Sequence, residues 1–340
     1  MTPRRALLPA VAVFVPVLVA AALIDMRAAA AAWLYLFILS LGLSAGAISL
    51  LLTGRLTDGA WFDALEPVLL PMARAVPLVG LCFVPLMVAA PLILPWADGG
   101  ARDELVAAFY LDWPLAILRA VVAVAGWSAI AWLVVGRPRG TAQVASAIAL
   151  IFHVVMVTFL SYDWVMALQP GFTSTAFGAH TAVIFLLSAL CAAVLVSPPA
   201  AGKPCGDIAG LVMAGILGSV YMAFMQFLIV WYGDLGETTI FYLDRAGIAG
   251  VATVIAALVF GGLAPMVLLL PEAGRRHPAR LRMAAALTLA GIGLYWGWVV
   301  LGLFGPAAIV AGTLSLVATV VAGAVGARIR LADTPIAEGP

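Results

Sequence analysis

The chain is poor in the side chains that hold redox centres. It has three cysteines in 340 residues, Cys82, Cys191 and Cys205, and their spacing forms no CxxC pair. The sequence therefore shows no disulfide framework, zinc site or cysteine-held iron–sulfur cluster. It also has three histidines, too few for two bis-histidine hemes b, and His277 lies in an arginine-rich segment. We expect no metal and no cofactor bound by this chain, so a redox centre would belong to a partner.

Charge is equally scarce. Only 10% of the residues are charged, 65% are hydrophobic, and the mean hydropathy is +1.16. A soluble core cannot bury that much apolar surface, so the composition excludes a cytosolic enzyme, a nucleic-acid-binding protein and a disordered tail. Apolar runs of about 20 residues recur along the whole chain, as expected where lipid is the solvent. The predicted fold class is an all-α polytopic membrane protein.

Hydropathy predicts about ten transmembrane helices. Windows long enough to cross the hydrocarbon layer fall at residues 6–24, 28–53, 75–95, 111–136, 141–161, 178–196, 208–232, 246–270, 281–303 and 307–327. An even number of crossings places both termini on one side. That side carries thirteen lysines and arginines and the opposite side carries three. The positive-inside rule makes the first side cytoplasmic.

The first span has two interpretations. Arg4 and Arg5 precede a 19-residue apolar stretch, and an alanine run follows it. This arrangement is typical of a secretory signal peptide, but the apolar stretch exceeds the roughly 7–15 residues of such a segment. We expect a retained first helix, and cleavage remains the alternative.

Tryptophans collect near the predicted outer ends of the spans. Lipid-facing aromatic belts form at this depth, so we expect an interfacial role and no ligand contact for them. They are Trp33, Trp96, Trp113, Trp164, Trp231, Trp296 and Trp298.

A short internal sequence repeat indicates that the chain has two similar halves. Residues 109–112 and 241–244 both read FYLD, 132 residues and four predicted spans apart. Four spans preserve orientation, as in a parallel repeat about an axis along the membrane normal. We predict a four-helix bundle at 28–177 with an outer DWxM loop and a second bundle at 178–305. Residues 1–27 would form the first helix, and 306–340 the last helix and a cytoplasmic tail. Coincidence between two aromatic loops is the alternative.

Two outer segments carry more specific patterns. Residues 161–178 read SYDWVMALQPGFTSTAFG, and residues 226–238 read QFLIVWYGDLGET. Here the chain resembles the NrfD-like, polysulfide-reductase-type membrane subunits, and among them the ActF subunit of alternative complex III. That family shows SFDWxMSLxPHWxSTxFG and SQFxLIWYANLPEET. The resemblance extends weakly from Pro77 to Leu270, about three fifths of the chain. Gln169, Gly171-Phe172 and Thr238 depart from the family's acidic residue, His-Trp pair and second glutamate.

The resemblance implies an integral subunit of a quinol-oxidising respiratory complex in the bacterial inner membrane. In such complexes hemes c and iron–sulfur clusters belong to other subunits, so the implied partners are further integral and periplasmic subunits, including a multiheme cytochrome c. The subunit itself would provide scaffold and a proton path. Two alternatives stay open. One is a subunit that binds quinol at an outer pocket, and the other is a secondary transporter with paired broken helices at the midplane.

Ionisable groups inside hydrocarbon cost roughly 2.5–3.5 kcal/mol on insertion scales, so each needs an explanation. Arg119 lies in the fourth span, where its side chain can extend outwards along the face of Asp112. It is either a structural anchor or part of a charge-paired proton route. His153 lies in the middle of the fifth span, with Ser146 and then Gln143 towards the cytoplasm. These residues form either a proton half-path or a hydrogen-bonded core histidine with polar neighbours.

The motif residues supply the remaining candidates. Asp163 closes the fifth span about 15 Å above His153 and would be a capping carboxylate, an outer proton acceptor or a quinone-side group. Candidates beside a quinone are Asp163, Trp164, His180, Gln226 and Glu237. Gln226 cannot titrate, which favours an interhelical hydrogen bond, and Glu237 lies in a loop.

Overall fold

The computed structural model describes residues 22–97, 110–137 and 140–332, with side chains up to residue 320. Within these ranges the chain is helical and contains no β-strand. The α-helices are α1 Met26–Thr57, α2 Ala60–Arg74, α3 Val76–Leu81, α4 Phe83–Ile93, α5 Trp113–Ala129, α6 Gln143–Trp164, α7 Phe177–Val196, α8 Lys203–Tyr232, α9 Gly236–Leu243, α10 Ile248–Leu258, α11 Ala264–Leu269, α12 Glu272–Arg275, α13 Pro278–Val300 and α14 Gly305–Ala332. A π-helical turn, Ile130–Val134, extends α5, and a second, Val259–Leu263, joins α10 to α11.

Eight helical segments in the described ranges are long and apolar enough to cross a membrane. They are Met26–Thr57, Ala60–Leu81, Trp113–Val134, Gln143–Leu168, Phe177–Val196, Lys203–Tyr232, Ile248–Leu269 and Pro278–Leu303. Phe83–Ile93 and Gly305–Val320 are shorter apolar helices. The all-helical, membrane-protein fold class is therefore confirmed, while the count of ten stays a prediction. The first predicted span, 6–24, lies outside the described residues.

The third predicted span begins earlier than expected. Hydropathy placed its start at residue 75, but α2 begins at Ala60 and is followed closely by α3 and α4. Asp63, Glu66 and Arg74 lower the average hydropathy of α2, which explains the wrong start. The segment also contains five prolines, at positions 67, 71, 77, 85 and 91. The two helix breaks, at Ala75 and Cys82, come shortly before Pro77 and Pro85, whereas the other three prolines lie within α2 and α4.

The central helix of the fold is α1. It packs closely against α7 and also contacts α2, α4, α6 and α14. Gly42 and Gly46 permit the approach to α7, because a Cβ at Gly46 would overlap the carbonyl of Phe185. Small residues four apart are the usual means by which transmembrane helices come into van der Waals contact. The α1–α7 pair thus joins the first and second halves of the chain.

A second close helix contact lies in the second half. There α13 packs against α7, α10 and α11, and α8 contacts α7 and α11. A Cβ on Gly291 of α13 would overlap the backbone of Gly261 in the π-helical turn. The two helices therefore touch backbone to backbone at this level, and the wider turn leaves room beside them.

Four tryptophans assigned to the lipid-facing belt lie inside the protein instead. Trp96, Trp164, Trp296 and Trp298 are at most 8% exposed. Trp96 and Trp164 stack on each other edge to face, with ring centroids 6.4 Å apart. The belt interpretation is wrong for these four, because position along a helix predicts depth but not the face on which a side chain lies. Trp231, at 69% exposure, keeps the expected surface position.

Candidate functional site

The first cluster of predicted site residues lies where the start of α5 meets the end of α6. Arg119 donates from Nε to Asp163 Oδ2 at 2.7 Å and from a terminal nitrogen to the Tyr110 carbonyl at 3.0 Å. The guanidinium also lies 4.2 Å above the Tyr110 ring. The sequence placed Arg119 beside Asp112, whereas its charged partner is Asp163 on the neighbouring helix.

This ion pair is largely removed from water. The Asp163 side chain is 3% exposed and that of Arg119 is 15% exposed. Asp163 Oδ1 makes no hydrogen bond of standard geometry to a described residue. Burial raises the pKa of Tyr110, and the negative charge of the neighbouring Asp163 raises it further, so the phenol stays protonated. The cluster therefore combines one ion pair with a protonated phenol that interacts with the same carboxylate.

His153 lies one layer deeper, between α5 and α6. Its ring centroid is 6.0 Å from that of Trp127, and the side chain is 1% exposed. Neither ring nitrogen has a hydrogen-bond partner, and the same holds for the Trp127 indole nitrogen and the Ser146 hydroxyl. Gln143 lies exposed at the start of α6. His153 and Trp127 thus form a buried pair of rings whose nitrogens have no hydrogen-bond partner among the described residues, and Ser146 lies two turns nearer the start of α6.

A small cavity lies between these two layers. It has a volume of about 10 Å³, and Arg119, Asp163, Met156 and Ala123 are among its lining residues. A single water molecule needs roughly 10–15 Å³ measured in this way and several polar partners. The cavity therefore accommodates one water at most, next to the Asp163 side chain.

The second cluster is centred on His180, in the first turn of α7. His180 Nδ1 lies 3.0 Å from Gln226 Nε2, and its Nε2 lies 3.4 Å from Ser219 Oγ. Ser174 Oγ donates to Gln226 Oε1 at 2.9 Å. The Tyr295 hydroxyl lies 3.4 Å from His180 Nδ1. His180 and Gln226, which were predicted separately, therefore belong to one hydrogen-bond network. Through Ser174 this network also connects the motif at residues 161–178 with the motif at residues 226–238.

This network closes the polar end of a cavity of about 410 Å³. His180, Ser219 and Tyr295 provide its polar groups, and the other lining side chains are apolar. Phe224 and Ile255, which border it, are each 55% exposed on the side of the protein. The cavity therefore opens laterally, on the surface that hydrocarbon would cover.

The local sequence explains the cavity. Gly261 and Gly262 of the π-helical turn line it and carry no side chain that would fill it. Single π turns inside α-helices occur frequently at functional sites. The corresponding turn of the first half, Ile130–Val134, follows Trp127 instead, and the pocket nearest the ion pair there holds only about 10 Å³.

Arg245 borders a neighbouring pocket of about 290 Å³ that shares Gln226 and Tyr295 with the two features above. It is 4% exposed and donates to the carbonyls of Trp298 at 3.1 Å and Val299 at 2.8 Å. These carbonyls end α13, so the cation satisfies a helix C-terminus. Burial lowers the pKa of Arg245 to about 10, which leaves it charged at neutral pH.

The other motif residues lie in packing contacts or at the protein surface. Trp164 is 1% exposed and packs edge to face on Phe83, with ring centroids 4.5 Å apart. Glu237 begins the short helix α9 and is exposed. Two positions that depart from the family pattern touch each other, because Thr238 Oγ1 donates to the Gly171 carbonyl at 3.3 Å.

No protein-family model matches the chain, and no curated protein matches it in sequence. The assignment of a function therefore depends on the chemistry of the two clusters and on the motif resemblance.

Three residues of the site were not predicted from the sequence. Ser219 and Tyr295 contact His180, and Arg245 binds the carbonyls at the end of α13. Ser219 and Tyr295 lie in apolar stretches without a motif, so no local signal separates them from ordinary helix residues. Arg245 directly follows the second FYLD copy, and Phe241 of that copy lies 4.0 Å beneath its guanidinium. Arg119 also lies above an aromatic ring of the first copy, but above Tyr110 and from seven residues beyond that copy, so the FYLD repeat does not predict the role of Arg245.

Proposed function

We propose that this chain is an integral membrane subunit of a quinol-oxidising electron-transfer complex, and that the cavity at His180 holds the quinone ring. The supporting observation is a laterally open apolar cavity whose inner end carries hydrogen-bonding groups. A quinone has the same division, with polar oxygens on a ring and an isoprenoid tail. Its volume, about 410 Å³, falls in the range of about 300–1,000 Å³ typical of small-molecule sites.

The position of the cavity suits exchange with the lipid phase. His180 lies three residues inside α7, about 5 Å from the helix end that the charge bias places outside. The bordering side chains Phe224 and Ile255 face the lateral surface. A quinone could enter sideways from the bilayer and place its ring near the outer face, where a periplasmic partner docks.

The partners in this proposal come from the motif resemblance. In complexes of the resembled kind, electrons from quinol pass to hemes c or iron–sulfur clusters in other subunits. The proposal places the chain in a bacterial inner membrane, with both termini in the cytoplasm.

The two-bundle arrangement is part of this proposal. Within residues 26–164, α1 contacts α2, α4 and α6, and α5 contacts α6. Within residues 177–300, α7 contacts α8 and α13, and α13 contacts α10 and α11. The two π turns start at Ile130 and Val259, close to the 132-residue offset of the FYLD copies. Similar packing and similar helix irregularities support two related four-helix halves, with the first and last helices outside them.

The test is to measure quinone in the protein purified with gentle detergent. We expect about one quinone per chain, together with c-type heme and iron–sulfur subunits. Gly262→Leu should lower the bound quinone at least about tenfold. A Cβ at Gly262 has only ordinary contacts with Val220 and Leu258, so the larger side chain extends into the cavity. Gly210→Leu is the matched control, because Gly210 is exposed and a Cβ there meets nothing within 4 Å.

Two results would overturn the proposal. One is unchanged quinone content in Gly262→Leu, which would place any quinone elsewhere. The other is a lone colourless protein without quinone, which would favour the transporter alternative.

A second candidate function is a proton path along α6, and a specific observation favours it. His153, Trp127 and Ser146 are buried with unpartnered polar atoms, an arrangement that proteins normally avoid unless water or a proton carrier is involved. Between His153 and the end of α6, the water-sized cavity is lined by Asp163. The path would run from Ser146 through His153 to Asp163, with Arg119 holding the carboxylate in place.

This path predicts a change in proton stoichiometry. In the assembled complex, His153→Ala and Asp163→Asn should each lower proton uptake per electron while the subunits stay assembled. Met283→Ala, at a 49% exposed position of α13 remote from this path, is the control. If both variants left proton uptake per electron unchanged, His153 and Asp163 would contribute only to packing and the proposed path would be wrong.

A further inference from the structure

The orientation of the Gln226 amide is determined by its neighbours. Its Oε1 lies 2.9 Å from the Ser174 hydroxyl, which donates to it. Its Nε2 lies 3.2 Å from the Met222 carbonyl, which can only accept. The reversed amide would place its oxygen against that carbonyl. The oxygen therefore faces Ser174, and the nitrogen faces Met222 and His180.

This orientation sets the tautomer of His180. Gln226 Nε2 lies 3.0 Å from His180 Nδ1, and an amide nitrogen only donates. Nδ1 must therefore be the accepting, unprotonated nitrogen. A neutral imidazole carries its proton on the other nitrogen, so Nε2–H points towards Ser219 Oγ, 3.4 Å away.

Two hydroxyl groups at the polar end of the cavity consequently keep a hydrogen that they can donate to a ligand. Ser219 accepts from His180 and has its own hydroxyl hydrogen left for a ligand. Tyr295 lies 3.4 Å from Nδ1, whose single lone pair Gln226 already uses, so the phenolic hydrogen is also available. Both hydroxyls line the cavity. The lining side chains include no carboxylate that would accept a hydrogen bond from a ligand.

We infer that this end of the cavity recognises a carbonyl oxygen, and that Gln226 is the positioning residue that sets this preference through the tautomer of His180. The inference rests on the proposed function in assigning the carbonyl to a quinone. The oxidised quinone then binds about tenfold more tightly than the quinol, the ratio expected for one well-made hydrogen bond. Tenfold tighter binding of the oxidised form lowers the midpoint potential of the bound two-electron couple by about 30 mV. Bound quinol is thereby a stronger electron donor than quinol in the bilayer.

The tautomer can be measured without any ligand. The chain has three histidines, so ¹⁵N-histidine NMR in lipid nanodiscs gives three resolvable rings, assigned with His153→Phe and His277→Asn variants. We expect His180 with an unprotonated Nδ1 and a protonated Nε2. A protonated Nδ1 would overturn the inference, whatever the cavity binds.

The preference is tested with a decyl-tailed benzoquinone and its quinol, titrated into nanodiscs and compared with empty nanodiscs. The native chain should favour the quinone about tenfold. Gln226→Glu puts a carboxylate against Nδ1, so His180 should carry its proton there and the preference should disappear or reverse. Gln226→Met removes the donor without adding an acceptor, and its preference should fall between these two.

Three binding results are decisive. Equal affinity of the native chain for both forms would overturn the inference, and so would a preference that Gln226→Glu leaves unchanged. If neither the quinone nor the quinol bound, the quinone assignment of the proposed function would be wrong. The NMR measurement would then still test whether Gln226 sets the tautomer of His180.

Discussion

The Arg119–Asp163 pair makes a strong prediction about stability. Replacing Arg119 with methionine leaves a carboxylate that is 3% exposed without its cationic partner. Removing one partner of a buried ion pair typically costs about 3–5 kcal/mol. Replacing Asp163 with leucine should cost less, because Arg119 keeps the Tyr110 carbonyl and ring and is 15% exposed.

The double variant Arg119→Met/Asp163→Leu separates the pair from its environment. Since no uncompensated charge remains, we expect the loss in unfolding free energy to be smaller than the sum of the single losses by about 2 kcal/mol or more. Unfolding by sodium dodecyl sulfate in mixed micelles, followed by circular dichroism, provides the four free energies of the cycle.

A matched surface pair serves as the control. Arg276 and Glu272 form a 2.8 Å contact, but their side chains are 63% and 68% exposed. Pairs of this kind on a helix contribute only roughly 0.3–0.5 kcal/mol. If the Arg119–Asp163 cycle gave a coupling as small as that of the control, the buried pair would not stabilise the fold and the reasoning would be refuted.

Two further predictions concern packing and helix ends. Gly46→Leu should abolish the close α1–α7 contact and greatly lower the yield of folded protein, because a Cβ there overlaps the Phe185 carbonyl. The measurement is size-exclusion chromatography of this variant, with Gly210→Leu as the control. A normal elution profile for Gly46→Leu would contradict the prediction. Arg245→Leu should lower the unfolding free energy by about 2–4 kcal/mol, because it leaves the carbonyls of Trp298 and Val299 unsatisfied. Arg245→Lys should recover only part of this loss, because one ammonium group cannot reach both carbonyls. Full recovery by lysine in the same denaturation assay would show that charge alone matters.

The membrane character of the fold could be predicted from composition, because 65% apolar residues leave no soluble alternative. Single residues of functional interest could be predicted as well, since polar groups such as His153 and Gln226 stand out against apolar helices. Their partners could not, because the partners lie on other helices. Tyr295 contacts His180 from 115 residues away, and nothing in the sequence around it predicts that contact.

The burial of individual side chains could not be predicted from the sequence. Trp96 and Trp164 lie inside the protein, because a position along a helix does not determine whether the side chain faces lipid or protein. The π turn that opens the cavity has no sequence signal beyond the Gly261-Gly262 pair, which reads equally well as a helix contact. The cavity therefore became visible only when α8, α10 and α13 were placed together.

The central claim is that a quinone ring lies at His180 in the second half of the chain. The most direct measurement is photo-crosslinking with a ring-azido quinone in nanodiscs, followed by peptide mapping. The account predicts labelling within residues 216–227 of α8 and 254–262 around the π turn, suppressed by excess unlabelled quinone and by Gly262→Leu. Labelling confined to peptides around Arg119 and Asp163, or labelling that unlabelled quinone does not suppress, would contradict it.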